Sequence, residues 1–431
     1  MADATQTSAG TNAGRRAGVV DLLRSNRDFR LLYIAQVISL GGDWFATVAL
    51  LGIVGDLTNN SALAKGAVFV AQSLPAFVMT PWAGPVADRI DRKRIMVVVS
   101  TLQAVAALAF LSVGPGRVWM AFVAMSLVTA LGAFYGPASQ ASVANLVDVA
   151  DLPRATAALS STWGVMLALG ASIGAAFSTI FGRNPAFIAD AISFVVAGAL
   201  IARIRRPMRA SIGGHVRPRL RPFHDTREGL RLARSSPTLF ALLFSKAGMG
   251  LATGVVGLLT VLATGRFHGG DGSIGLLLAA RGLGVVIGPM LLTRLGQTTV
   301  PRILQICALS CIVYGVAYAG VAWAPSIAIA AVLVTVAHLG GGTQWALSTL
   351  GLTLQTPDEF RGRIMAADFA LVMLTMSASF VGGGLLERAA GATVALTVLA
   401  AIAFAWGLVY LRITAKLRSL DDEPATAAAS G

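Results

Sequence analysis

Charge is what this chain has least of. Only 13% of its 431 residues are Asp, Glu, Lys or Arg, against 55% hydrophobic, and the mean hydropathy is +0.73. A soluble protein of two or three domains would carry about a quarter charged residues, so that class is excluded. Cysteine is nearly absent too. The two present, Cys307 and Cys311, sit one helical turn apart in an apolar run and read as packing residues with no disulfide or metal role. No Walker lysine motif occurs, which excludes ATP as the energy source, and the sequence implies no other cofactor. No cluster of nucleophile, base and oxyanion donors stands at the ends of the apolar runs, so a membrane enzyme is the least supported class. The apolar runs do not alternate with polar residues, which excludes a β-barrel.

What is there is a series of continuous apolar runs, recurring about every 30 residues, each long enough to cross a bilayer as a helix. Twelve are expected, at 31–54, 66–87, 95–113, 118–139, 155–181, 186–204, 239–263, 274–295, 303–323, 327–350, 364–386 and 392–413. Prolines at 75 and 81 are expected to kink the second, and Gly136-Pro137 to break the fourth. The fold class is therefore an all-α polytopic membrane protein. Its expected units are a tail at 1–29, a six-helix half at 30–204, a basic connector at 205–236, a second half at 237–413 and a tail at 414–431. No removable signal peptide is expected in 1–29.

The net charge of +14 would suggest nucleic acid in a soluble chain. Topology explains it here. Placing the spans puts 27 of the 34 basic residues on one side, five on the other (Lys65, Arg117, Arg183, Arg266, Arg388) and two, Lys246 and Arg281, inside spans. By the positive-inside rule the rich side is cytoplasmic and holds both termini and the connector, which would meet anionic headgroups. Abundant Ala, Gly and Arg hint at a bacterial source.

An internal repeat supports two halves. Asp151-Leu-Pro-Arg154-Ala155 parallels Asp358-Glu-Phe-Arg361-Gly362, 207 positions on, and the start of span 1 parallels that of span 7, 210 positions on. Gly282-Leu-Gly284-Val-Val-Ile-Gly288 has the wrong spacing for a dinucleotide loop and reads as small-residue helix packing.

Asp43 lies near the middle of span 1. A carboxylate there is costly and marks a candidate site for proton or substrate handling; the bland alternative is a fixed ion pair. Lys246 in span 7 corresponds by symmetry to a position two turns from Asp43, so a pair across the cavity is geometrically open, and Arg281 is the second buried cation. Candidate cavity-lining residues are Trp44, Gln72, Gln140, Trp163, Asp190, Gln344 and Trp345. Asp368 reads as structural or as part of a gate, and His338 as a helix contact.

The turn Gly84-Pro85-Val86-Ala87-Asp88-Arg89-Ile90-Asp91-Arg92-Lys93-Arg94 stands between spans 2 and 3. Its pattern resembles the loop between helices 2 and 3 of the major facilitator superfamily, with Asp91 where Gly is usual. Gly170-Ala-Ser-Ile-Gly174 is similar to the superfamily's antiporter signature, with Ala175 where Pro is expected. Phe29-Arg30, Ser39-Leu-Gly-Gly-Asp43-Trp44, Gly341-Gly-Thr-Gln344-Trp345 and Pro357-Asp358-Glu359-Phe360-Arg361-Gly362-Arg363 resemble the enterobactin-exporter-like branch. The resemblance implies twelve helices in two pseudo-symmetric halves around one cavity, exposed to each side in turn. It implies a cytoplasmic gate of Gly84, Asp88, Arg89, Arg92, Asp358, Arg361 and Arg363, with Asp88 facing the start of span 11. The function it implies is proton-coupled export of a siderophore-like or drug-like molecule by a monomer in the bacterial cytoplasmic membrane. A metabolite importer, a lipid flippase and a transport-inactive receptor or assembly factor stay open as alternatives.

Overall fold

The computed structural model describes residues 19–208, 231–234, 236–292 and 299–419, apart from the side chains at a few helix positions, among them Gly84, Asp88, Arg89, Asp358 and Arg361. Among the described residues, twelve helices are long and apolar enough to span a membrane. They are α1 (Arg27–Leu57), α2 (Ala62–Arg89), α3 (Arg92–Leu108), α4 (Trp119–Leu146), α5 (Leu152–Phe181), α6 (Arg183–Ala202), a segmented α7 within Pro237–Arg266, α8 (Asp271–Leu292), α9 (Val300–Ala322), α10 (Ile327–Gln355), α11 (Asp358–Ala390) and α12 (Ala392–Ile413). The expected spans all appear, most of them lengthened by the polar residues that cap them.

Those caps explain several helix starts. The Asn26 side chain accepts from the Phe29 backbone N–H at 2.9 Å, starting α1. Asp91 accepts from the backbone of Lys93 at 2.9 Å and of Arg94 at 3.3 Å, starting α3. The acid standing where the superfamily has glycine is thus an N-cap. Gly182 and Gly391, at φ 89° and 85°, join α5 to α6 and α11 to α12, so the same left-handed joint recurs in both halves.

Two helices differ from expectation. α4 runs unbroken through Pro137, although a stop was expected there. A proline removes one backbone donor, a loss a long helix packed along α2 and α3 carries without ending. Conversely, the apolar run of span 7 is broken into Pro237–Phe244, Ala247–Ala252 and Val255–Val261, followed by a wider turn at Leu262–Arg266. Glycines at 248, 250, 254 and 257 weaken it. The freed backbone is satisfied from α11: Ser379 Oγ donates to Leu251 O at 2.6 Å and accepts from Gly254 N–H at 2.8 Å.

In the first half α1 packs on α5 and α6, α2 on α4, and α3 on α4 and α6; in the second, α8 packs on α10, and α9 on α10 and α12. The halves meet along two pairs, α2 with α11 and α5 with α8, which the pseudo-twofold exchanges. Both seams rely on small residues. A Cβ added at Gly66 would come within 2.9 Å of Phe380 O, one at Gly384 within 2.6 Å of Leu63 Cα, and one at Gly282 within 2.7 Å of Ala168 Cα. The glycines of 282–288 are therefore packing residues.

Candidate functional site

Between the halves lies a cavity of about 380 Å³, walled by side chains from α1 to α6 on one side and from α8 and α11 on the other. Asp43, Trp44, Gln72, Trp163, Asp190 and Arg281 all line it, so four of the seven candidate lining residues and two of the three candidate coupling residues meet here.

Asp43 faces the cavity from α1. One turn on, Thr47 Oγ1 donates to Asp43 O at 2.7 Å and accepts from Gln72 Nε2 at 3.1 Å, fixing α1 against α2. Asp190 comes from α6 and is only 1% exposed. Neither of its carboxylate oxygens has a hydrogen-bond partner, and Ser193 Oγ beside it donates to the Asp190 backbone carbonyl at 2.7 Å instead. The two carboxylates lie within electrostatic reach of each other. Gly42 lets α6 approach this closely, since a Cβ there would fall 2.8 Å from Asp190 Oδ1. The Arg281 guanidinium lies 5.8 Å from the centre of the Trp163 ring, its Nε buried and unpartnered. Trp163 in turn meets the edge of Trp44 at 6.5 Å.

The pair suggested between Asp43 and Lys246 does not form. Lys246 is 3% exposed and bonds Asp368 at 2.5 Å, within its own half, and donates to Thr349 Oγ1 at 3.1 Å. Trp345 lies over it at 4.8 Å. Asp368 is thus its counter-ion, 122 positions away in sequence. Gln344 is fully buried and donates to Ser245 O at 2.6 Å, which makes it a lock between α10 and α7 rather than a cavity wall. Gln140 is exposed and lies off the cavity lining. His338 is the expected helix contact, bonded to Tyr318 Oη at 2.9 Å.

The bundle has two ends, one bearing Asp56 and the other Asp91. At the Asp56 end the halves are latched. Arg183 of α6 bonds Asp56 of its own half at 2.5 Å and both oxygens of Asp271, from the second half, at 2.9 Å. Lys65, fully buried at the start of α2, donates to Thr260 O at 2.9 Å and Thr264 Oγ1 at 3.1 Å in the second half, and to Asn60 Oδ1. Inward of these, Phe69 and Phe380 stack across the seam at 5.0 Å. Sequence reading counted Arg183 and Lys65 only as stray external charges. Their partners in the other half lie 88 to 199 positions away, and no periodicity links them.

Of the gate residues implied by the resemblance, the side chains of Gly84, Asp88, Arg89, Asp358 and Arg361 lie outside the described residues. Arg92 donates to Ala141 O and Asn145 Oδ1, both at 2.8 Å, within its own half, and Arg363 lies 5.2 Å from the Phe360 ring. Asp28 accepts from the backbone of Arg205 and Arg206 at 3.3 and 3.0 Å, tying the start of the connector to α1.

A family described as transmembrane secretion effector matches residues 23–430. The chain belongs to this family. Its members are major-facilitator transporters, which makes this secretion-effector protein a transporter and not an enzyme. It is 21% identical over 396 residues, 90% of this chain and 94% of the other, to YfiS of Bacillus subtilis, an uncharacterized transporter of the same type. It is 24% identical over 286 residues, 65% of this chain and 69% of the other, to macrolide efflux protein A of Streptococcus pyogenes. A candidate bacilysin exporter, BacE of Bacillus amyloliquefaciens, is 27% identical over 62% of this chain and 66% of its own length. Among solved structures, a peptide transporter of the POT family superposes with a TM-score of 0.73 at 11% identity, covering 94% of this chain and all of the other. A bacterial homolog of the human lysosomal transporter Spinster does so at 0.65 and 15%, covering 91% and 95%. Both likenesses bear on the fold.

Proposed function

We propose that this secretion-effector protein exports a small organic molecule from a bacterial cell by alternating access, driven by the proton gradient. The observation that carries the reading is the pair Asp43 and Asp190 in one cavity, with no salt bridge among the described residues including either. Two carboxylates in reach of each other repel when both are charged, and the repulsion is strong where water is scarce. A proton relieves it, and so does a cationic group on a substrate. The two therefore compete for one place, which is the requirement for antiport.

The side with 27 basic residues, and so the Asp91 end, is read as cytoplasmic with both termini. The Arg183 latch then closes the outward end. The gate motif around Gly84 and Asp88 works at the opposite end, and opening and closing alternate between the two. Relatives named for the efflux of macrolides and the export of bacilysin favour a drug-like substrate over the siderophore implied by the branch resemblance. A monomer suffices, since both halves of the cavity come from one chain.

The test is an unbiased comparison of compounds retained by cells lacking the protein, followed by flux of the retained compound in inverted membrane vesicles. Export predicts uptake into inverted vesicles that collapses when the pH gradient is dissipated. Uptake into intact cells instead would mark an importer, and no flux with a phenotype intact would mark a receptor. Reporter fusions that put the 205–236 connector outside would overturn the orientation.

A further inference from the structure

We infer that the cavity is built for a small zwitterion, carrying an ammonium group and an anionic group at opposite ends of an apolar or aromatic body. This rests on the transport reading above and specifies its substrate class.

The charges of the cavity are segregated by half. Asp43 and Asp190 stand on the first half, on α1 and α6, and Arg281 stands on the second, on α8. Pairing buried charges with one another offsets part of their desolvation penalty, as Lys246 and Asp368 do in the second half. The cavity charges do not. Both oxygens of Asp190 and the Nε of Arg281 are buried without a partner, and no salt bridge of the described residues includes Asp43, Asp190 or Arg281. Arg281 is supported instead by the face of Trp163, which holds its guanidinium without neutralising it. The unpaired poles face a common space.

Only one class of ligand satisfies both poles. A monocation meets the two carboxylates and leaves Arg281 unpaired. A monoanion meets Arg281 and leaves both acids unpaired. A zwitterion meets both, with its anionic end accepting from the planar fork of Arg281. In the empty cavity two carboxylates against one guanidinium leave one negative charge, which a shared proton neutralises until the ammonium displaces it. The rest of the lining is mainly apolar, with Phe69, Phe369, Phe380, Met373 and Met376, and includes the polar side chains of Gln72 and Gln103. A volume of about 380 Å³ lies at the small end of the range for organic ligands, about 300–1,000 Å³. Because the poles belong to different halves, a bound zwitterion also bridges them, so binding energy bears on the conformational equilibrium that transport uses.

The test uses the purified full chain in lipid nanodiscs and thermal-shift titration with matched probes. The probes are phenylalanyl-phenylalanine and a rigid biphenyl amino-carboxylate, each compared with its C-terminal amide or ester (cation only) and its N-acetyl form (anion only). The expected result is that a zwitterion binds at least about tenfold more tightly than both of its derivatives. Arg281→Gln removes the advantage over the cation while leaving cation binding in place, and Asp190→Asn weakens both together. Where Arg281→Gln does not fold, Arg281→Lys is expected to keep part of the advantage, having kept the charge and lost the fork. The inference is overturned if neither zwitterion is preferred, if no probe binds, or if the preference survives removal of the Arg281 charge. Proton-driven flux of the retained compound that persists with no zwitterion preference would leave the transport reading standing and remove this one.

Discussion

Two of the places where the protein buries acidic side chains are treated oppositely. In the second half, Asp368 is bonded to Lys246 at 2.5 Å, with Thr349 and Trp345 completing the surroundings of the ammonium. In the first, Asp43 and Asp190 line one cavity, and no salt bridge among the described residues includes either. One helix of each site corresponds by symmetry, since α7 carrying Lys246 is the counterpart of α1 carrying Asp43. Charge in a membrane is costly in both places. Asp368 also keeps one oxygen unbonded, so what separates the two sites is the cation: an acid bonded to one holds helices together, and acids without one stand open to a ligand.

The contrast gives its largest effect in stability. Lys246→Met alone leaves Asp368 buried without its cation and is expected to lose about 3–5 kcal/mol, read as a large fall in unfolding temperature in detergent. Adding Asp368→Leu should recover most of it. If the single change is harmless, the second site is no more structural than the first.

The next effect belongs to the latch. Arg183→Gln removes two ionic contacts, one of them bidentate to the buried Asp271, with a loss of about 1.5–3 kcal/mol from the state closed at the Asp56 end. A cysteine substituted at Phe69, with Cys307 and Cys311 replaced, should then react about tenfold faster or more with an impermeant thiol reagent. Unchanged reactivity would mean that the Lys65 contacts alone hold this end shut.

Asp91→Ala is smaller. It removes the cap of α3, expected to lower stability by about 1 kcal/mol with transport retained, as measured by unfolding and flux together. A loss of flux in a stable variant would give Asp91 a role in the gate.

The smallest effect is the other side of the comparison. Asp190→Asn removes an unbonded charge and is expected to leave stability within about 0.5 kcal/mol of the parent, or to raise it. A fall as large as that of Lys246→Met would show that the cavity acids are held by a partner after all.

The fold was legible because its cause is written in composition. Continuous apolar runs leave helices as the only spanning structure, and the polar residues between them mark the turns. Asp43 was legible for the same reason, as a carboxylate with no aqueous loop to explain it. The glycines of 282–288 read correctly as packing. What the sequence did not reveal is which charges meet. Lys246 finds Asp368 and Arg183 finds Asp271 through the packing of helices far apart in the chain, and nothing in the spacing of one predicts the other. Asp190 was legible as a cavity-lining candidate, but not its lack of a partner, which is a property of its surroundings. The break in α7 was hidden too, since its glycines sit in a run as apolar as any and the serine that compensates lies on α11. Gln344 was misassigned because a polar residue in a span fits a cavity wall and a buried lock equally well until its partners are known.

The central claim is that the unpaired acids couple transport to protons, and one measurement addresses it directly. Asp43→Asn protein, reconstituted in liposomes and loaded with the compound that cells lacking the transporter retain, is compared with the parent for flux with and without an imposed pH gradient. The account predicts that exchange at zero gradient persists while gradient-driven accumulation is lost. Full gradient-driven accumulation by a well-folded Asp43→Asn protein would contradict it.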